Sequence, residues 1–294
     1  MIPPKTPSLV EKARLYTIHT ALLGESIAEY WSYYFSNRHF PKDQEFYVVY
    51  TNMDHSISFQ PNSAVDYWLV NLRFIPTSIE LGGALSYKTI NEIRQAYVDI
   101  AKEGCAAFRE VPTIMPRFTE HRGNALHMTQ MLLKPINCSP SLHTAAPFFA
   151  YNLGAKYFPQ QEPKLRQIVG NIVSTVIKTK LHSMIDIAFG IFLAQKVIRD
   201  RLRLNFNDLE FFFTHVQNSK ERIPYEHVYR MYHEINELEK KTEVRENNLP
   251  EIMDRYFREI GLPRVRREQS NCLYDLKQKK LVYSPKLKGG KGLF

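Results

Sequence analysis

Residues 138–145 read Cys-Ser-Pro-Ser-Leu-His-Thr-Ala. A serine followed by proline is a helix opening: the Ser139 hydroxyl can cap free amides, and Pro140 suits a first helical position, where an N–H would have no partner anyway. The spacing predicts a helix that starts at Ser139 and carries Ser141 and His143 in its first turn. The amides exposed there make an anion site. Downstream, His182-Ser-Met-Ile-Asp186 sets an imidazole and a carboxylate one helical turn apart, so that the acid can hold one ring nitrogen while the other faces a substrate. Upstream, Lys102 and Arg109 lie two turns apart on one helical face and can converge on a negative charge.

The same reading extends along the chain. Residues 164–202 are helical by composition, but about 39 residues would run ~58 Å if straight, too long for a compact domain of this size. A break is predicted between 178 and 183, because Ser183-Met-Ile-Asp186 is a capping sequence that restarts a helix just after His182. Ile187, Phe189, Ile191 and Phe192 then turn inward. From Ser86, the residues Ile90, Ile93, Tyr97, Ile100 and Ala101 predict an amphipathic helix that ends before Pro112 with Lys102 and Arg109 in its last turns. Helices are also predicted over 8–35 from a capping box at Ser8, over 63–74, 124–134, 225–244 and 249–260, with a flexible joint at Gly82-Gly83 and a helix or turn over 206–216. Residues 45–59 alternate weakly, as either a short strand or an irregular segment would. The expected architecture is all-α, a single helical bundle over 1–270 with a helical C-terminal extension, followed by a basic, flexible tail over 271–294.

Among 294 residues, 39 Lys+Arg against 30 Asp+Glu give a net charge of +9, which favours anionic partners. No window has the ~18 uninterrupted apolar residues of a membrane span. Three scattered cysteines fit neither a disulfide framework nor a zinc site and point to a reducing, cytoplasmic setting. His121, His127, His143, His182 and Asp186 show no tight metal-ligand pairing, so no metal is expected. The lysines after 272 have little aromatic interleaving, which argues against a specific nucleic-acid partner and leaves a peripheral contact with an anionic membrane. The 17 Tyr and 18 Phe are enough to line an apolar chamber beside an anion site.

Taken together, Lys102 and Arg109, then Pro140-Ser141-Leu142-His143, then His182 and Asp186 resemble, in order, the three-part signature of the type 2 phosphatidate phosphatase and vanadium haloperoxidase superfamily. The likeness spans roughly residues 90–200. The chain departs from it at Glu110, where the signature has proline, at Leu142, where it has glycine, and at Thr175-Val176, where it has a serine-arginine pair. Lys178 or Lys180 would stand in for that arginine as a point charge. The resemblance implies that His182 attacks phosphorus, Asp186 orients its ring and His143 protonates the leaving oxygen. Lys102, Arg109, Lys178 and the amides of Ser141 and Leu142 would hold the phosphate. Leu142 in place of glycine is expected to add apolar surface beside the anion.

The expected activity is metal-independent hydrolysis or lysis of an organic phosphate or diphosphate with a lipid or prenyl group. No cofactor is required, and vanadate is a ligand that the resemblance admits. A prenyl diphosphate-ionising terpene cyclase, a vanadate-dependent haloperoxidase and an inactive binding module are the alternatives on the same scaffold. Sequence leaves the organic group and the oligomeric state open.

Overall fold

The structure, a computed structural model, describes residues 44–66, 85–118, 138–204, 225–241, 248–266, 272–275 and 280–283, with isolated positions at 17, 24–25, 28–29, 32, 69 and 126. The capping box at Ser8, the Gly82-Gly83 joint, residues 206–216, most of 124–134 and most lysines of the tail lie outside these. The described chain is mostly helical, an all-α class with small sheets.

The elements are β1 (Glu45–Val48), α1 (Asn52–His55), α2 (Tyr87–Glu110), β2 (Thr113–Ile114), β3 (Arg117–Phe118), α3 (Leu142–Tyr157), α4 (Glu162–Lys178), α5 (Met184–Leu202), α6 (Tyr225–Lys241), α7 (Leu249–Glu259), β4 (Arg264–Arg266), β5 (Cys272–Asp275) and β6 (Lys280–Tyr283). Helix α5 is the centre. Its residues from Met184 to Ala194 are all buried, and α2, α3 and α6 pack on it. A helix that is apolar on every side has to be enclosed in this way. Ser86 caps α2 through the amide of Thr89, and Val111 with Pro112 ends it.

The break expected between 178 and 183 is present, and its chemistry is local. Helix α4 ends on Thr179 in a Schellman turn: the Lys180 amide donates to Ile177 O and the Leu181 amide to Val176 O, each at 3.1 Å. Lys180 takes the left-handed position of that turn with φ 53°, a conformation that glycine usually supplies. Ser183 then caps α5, accepting from the Asp186 amide at 3.2 Å, while the Asp186 carboxylate accepts from the Ser183 amide at 2.9 Å.

The start of α3 differs from expectation. Ser141, not Ser139, is the N-cap, and Leu142 is the first helical residue. Ser139 and Pro140, joined by a cis bond, precede the helix because the Thr113 hydroxyl accepts the amides of both Cys138 and Ser139 at 3.0 Å.

The strands are short and pair remote segments. One sheet has the order β2-β1-β4, with β1 parallel to β2 and antiparallel to β4; the other has β3-β5-β6. The segment expected to be a flexible tail therefore contains two strands, β5 and β6, in antiparallel register. One apolar cluster runs from Phe46 to Val265 and takes in α7 through Met253, Tyr256 and Phe257. Among the described residues no helix is long and apolar enough to cross a membrane.

Candidate active site

Two helix starts meet at the centre of the bundle. The Ser141 amide donates to the carbonyl of Asp186 at 2.9 Å, which ties the mouth of α3 to the first turn of α5. Gly190 permits the approach: a Cβ there would lie 2.6 Å from Ser141 O. On the other side, Leu142 enters the space left by Gly104 of α2, where a Cβ would meet Leu142 Cδ2 at 2.5 Å. The Leu142 side chain is thus packing between helices, not the apolar lining of an anion site that its replacement of glycine suggests. Its amide and that of His143 stand in the first turn, where helix N–H groups have no intrahelical acceptor.

This junction brings His143, His182 and Asp186 into line. His143 Nδ1 lies 3.1 Å from His182 Nε2, although the residues are 39 apart in sequence. On the far side of the ring, His182 Nδ1 faces Asp186 Oδ2 at 3.4 Å. Asp186 is fully buried and His182 is 8 % exposed, whereas His143 remains partly exposed. The line therefore runs outward from Asp186 through His182 to His143, whose ring is still shielded from solvent.

Burial controls the charges. It pushes the Asp186 carboxyl up to about 8, against the Ser183 amide and hydroxyl and the nearby Ser139 hydroxyl, which all favour the ionised form. Ser139 Oγ and Asp186 Oδ1 are both buried and neither makes a hydrogen bond, so the Ser139 hydroxyl acts on the carboxyl only as a nearby dipole. Burial first, then the adjacent His182, holds His143 well below the usual histidine range. Near neutral pH the Asp186 carboxyl thus keeps its proton and the His143 ring is uncharged.

The expected cations are distributed differently. Lys102 and Arg109 are both exposed on α2, and Lys102 forms an ion pair with Glu29 at 3.8 Å. The structure does not bury either with the histidines. Lys178 is half-buried in the last turn of α4; burial lowers its pKa and Asp66 opposes the shift. Lys180 is 2 % exposed, and burial brings its ammonium down to about 8 despite Asp54. Its Nζ donates to the carbonyl of Asp54 and stands 6.0 Å from the centre of the Tyr50 ring.

Asp54 is a part of the site that sequence reasoning did not single out. It is 1 % exposed, with Oδ1 accepting the Met184 amide at 2.9 Å and Oδ2 accepting the amide and hydroxyl of Thr51 at 2.9 Å. The pattern Thr51-Asn-Met-Asp54 is a readable capping sequence, but nothing local announces its partner 130 residues away. Thr113, which fixes Cys138 and Ser139, was equally silent.

Among the described residues, no group of three or more His, Cys, Asp or Glu side chains could hold a metal ion. No family model, no curated protein and no solved structure matches this chain.

Proposed function

We propose that the chain is a phosphoric or diphosphoric ester hydrolase that works through a phosphohistidine on His182, with an apolar alcohol such as a lipid or prenyl group as the leaving portion. The observation that supports this reading is the alignment of His143, His182 and Asp186 from two helix starts. It gives each residue one task. Once Nδ1 of His182 carries a proton directed at Asp186, the lone pair of Nε2 can form the bond to phosphorus. As that bond forms, the bond from phosphorus to the ester oxygen breaks, and His143 delivers a proton to the departing oxygen. Asp186 stabilises the positive ring that results. Water then attacks the phosphohistidine, His143 takes its proton, and phosphate leaves.

The 3.1 Å contact between the rings belongs to the resting site. An in-line phosphoryl group needs roughly 5–6 Å between nucleophile and acid, the sum of a near-attack distance and a hydrogen bond. His143, the least buried residue of the three, is the group that would have to move aside. The incoming anion sets up this state: as the Asp186 proton moves onto Nδ1 of His182, the Nε2 proton of His182 moves on to His143, since negative charge beside an imidazole favours its charged form. The amides of Leu142 and His143 then face the phosphate at the positive end of α3.

Turnover of p-nitrophenyl phosphate and farnesyl diphosphate tests the proposal. His182→Ala should abolish it; with farnesyl phosphate as a third substrate, whose alcohol must leave with a proton, His143→Ala should slow p-nitrophenyl phosphate, whose leaving group needs no proton, much less. Vanadate should inhibit competitively, and a chelator should leave the rate unchanged. Equal turnover by His182→Ala and the unmodified chain would overturn it. Release of a cyclic hydrocarbon from farnesyl diphosphate would instead favour the cyclase.

A further inference from the structure

The loop over 178–184, which presents His182, is gripped from outside the bundle. Gln60 donates its amide to Lys178 O at 2.9 Å, so the stretch after β1 lies along the loop from its first residue. The firm hold is Asp54. Its carbonyl accepts the Lys180 ammonium, two residues before His182, and its carboxylate accepts the Met184 amide, two residues after it. The Met184 amide is one of the N-terminal donors of α5 that no intrahelical carbonyl can reach. Lys180, for its part, keeps a left-handed backbone that an L side chain disfavours, a cost tolerated where the side chain is held by a contact of its own.

We propose that Asp54 is a positioning residue for His182: through its carbonyl and its carboxylate, it fixes both ends of the loop, and so sets where the His182 ring stands relative to His143 and Asp186. The catalytic meaning of this inference rests on the hydrolase reading above, whereas its geometric content does not. Asp54 touches neither ring, and the two grips act on backbone and on Lys180. A carboxylate with both oxygens occupied by Thr51 and Met184, and 1 % exposed, is built in rather than poised to leave. It is therefore not a plug that substrate would displace.

The decisive experiment compares Asp54→Ala, which removes the acceptor of the Met184 amide, with Thr51→Ala, which removes a hydroxyl from the same turn but leaves the Met184 and Lys180 contacts. Nitrogen-15 histidine NMR reads the N–H shared by His143 and His182 without any substrate, and steady-state kinetics reads kcat and KM. The expected result is that Asp54→Ala lowers kcat by about 10–100-fold with KM nearly unchanged, as for a misplaced reacting group. The shared N–H signal should be lost or exchange faster with solvent, while Thr51→Ala keeps both readouts near those of the unmodified chain. Should Asp54→Ala fail to fold, Lys180→Gly keeps the turn, releases the grip on the Asp54 carbonyl and should move the same readouts. A lower melting temperature in Asp54→Ala with an unchanged N–H signal and kcat would overturn the inference, as would a rise in kcat. If the unmodified chain turns over none of the phosphates, the hydrolase reading fails, and the NMR comparison alone decides the role of Asp54.

Discussion

Asp186 and His143 are displaced from their ordinary ionisation in opposite directions, and each displacement gives stability a pH dependence of its own sign. The Asp186 carboxyl is raised from 3.8 to about 8, so between those values the folded chain binds more protons than the unfolded one. Stability from this group is intact below pH 4 and falls as pH rises toward 8, by at most about 1.4 kcal/mol per pH unit. His143 is depressed, so below about pH 6.5 the unfolded chain binds the extra proton and acidification destabilises. Urea unfolding from pH 4 to 8 should therefore show Asp186→Asn gaining stability relative to the unmodified chain as pH rises, the polarity change itself setting only the offset. A parallel pair of curves would mean that Asp186 does not hold a proton in the fold. Activity follows the same proton: once it departs near pH 8 the acid has no source, so kcat/KM should fall on an alkaline limb near that value, and Asp186→Asn, with no such proton to pass on, should be slow at every pH and lack the limb.

At the scale of elements, the crossing of α3 over α5 rests on a missing side chain. Gly190→Ala would place a methyl 2.6 Å from the backbone oxygen of Ser141, which cannot yield without moving the mouth of α3. Against a helix-propensity gain of about 1 kcal/mol, overpacking costs about 1–3 kcal/mol, and the net effect should be destabilising with a larger loss of kcat. Gly104→Ala meets side chains alone, Leu142 Cδ2 at 2.5 Å and Leu193 Cδ2 at 3.4 Å, whose far ends can shift, and should cost less than Gly190→Ala by thermal unfolding. Comparable losses at both glycines would remove the backbone crossing as the cause. The helices behind this junction were legible where their signals are local. Ser86 and Pro112 bound α2, and the length of 164–202 together with the Ser183–Asp186 box located the break beside His182. What escaped was set by distant partners. Thr113 moves the start of α3 from Ser139 to Ser141, and Asp54 holds a loop 130 residues away. The exposed placement of Lys102 and Arg109 depends on which face of α2 the bundle covers, a choice that their spacing alone does not make.

For the molecule as a whole, the C-terminal elements close the core rather than decorate it. Strand β4 pairs with β1 near the N-terminal end of the described chain, and Phe257 of α7 lies between them and α5. Its ring sits edge-on to Phe189 at 5.4 Å and tilted to Tyr47 at 5.1 Å, while Tyr256 meets Phe189 at 5.6 Å. Phe189 is on the same helix as Asp186, so the aromatic cluster connects the C-terminal segment to the element that carries the site. Phe257→Ala removes a fully buried ring from this cluster and should cost about 3–5 kcal/mol, a large share of the stability of an ordinary domain. Because one apolar cluster spans β1 to β4, the loss should appear as a single earlier transition in denaturant by both circular dichroism and tyrosine fluorescence. If α7 and β4 were instead an independent appendage, the substitution would melt that part alone, and the histidine N–H signal and phosphate turnover would survive through a separate, unshifted transition.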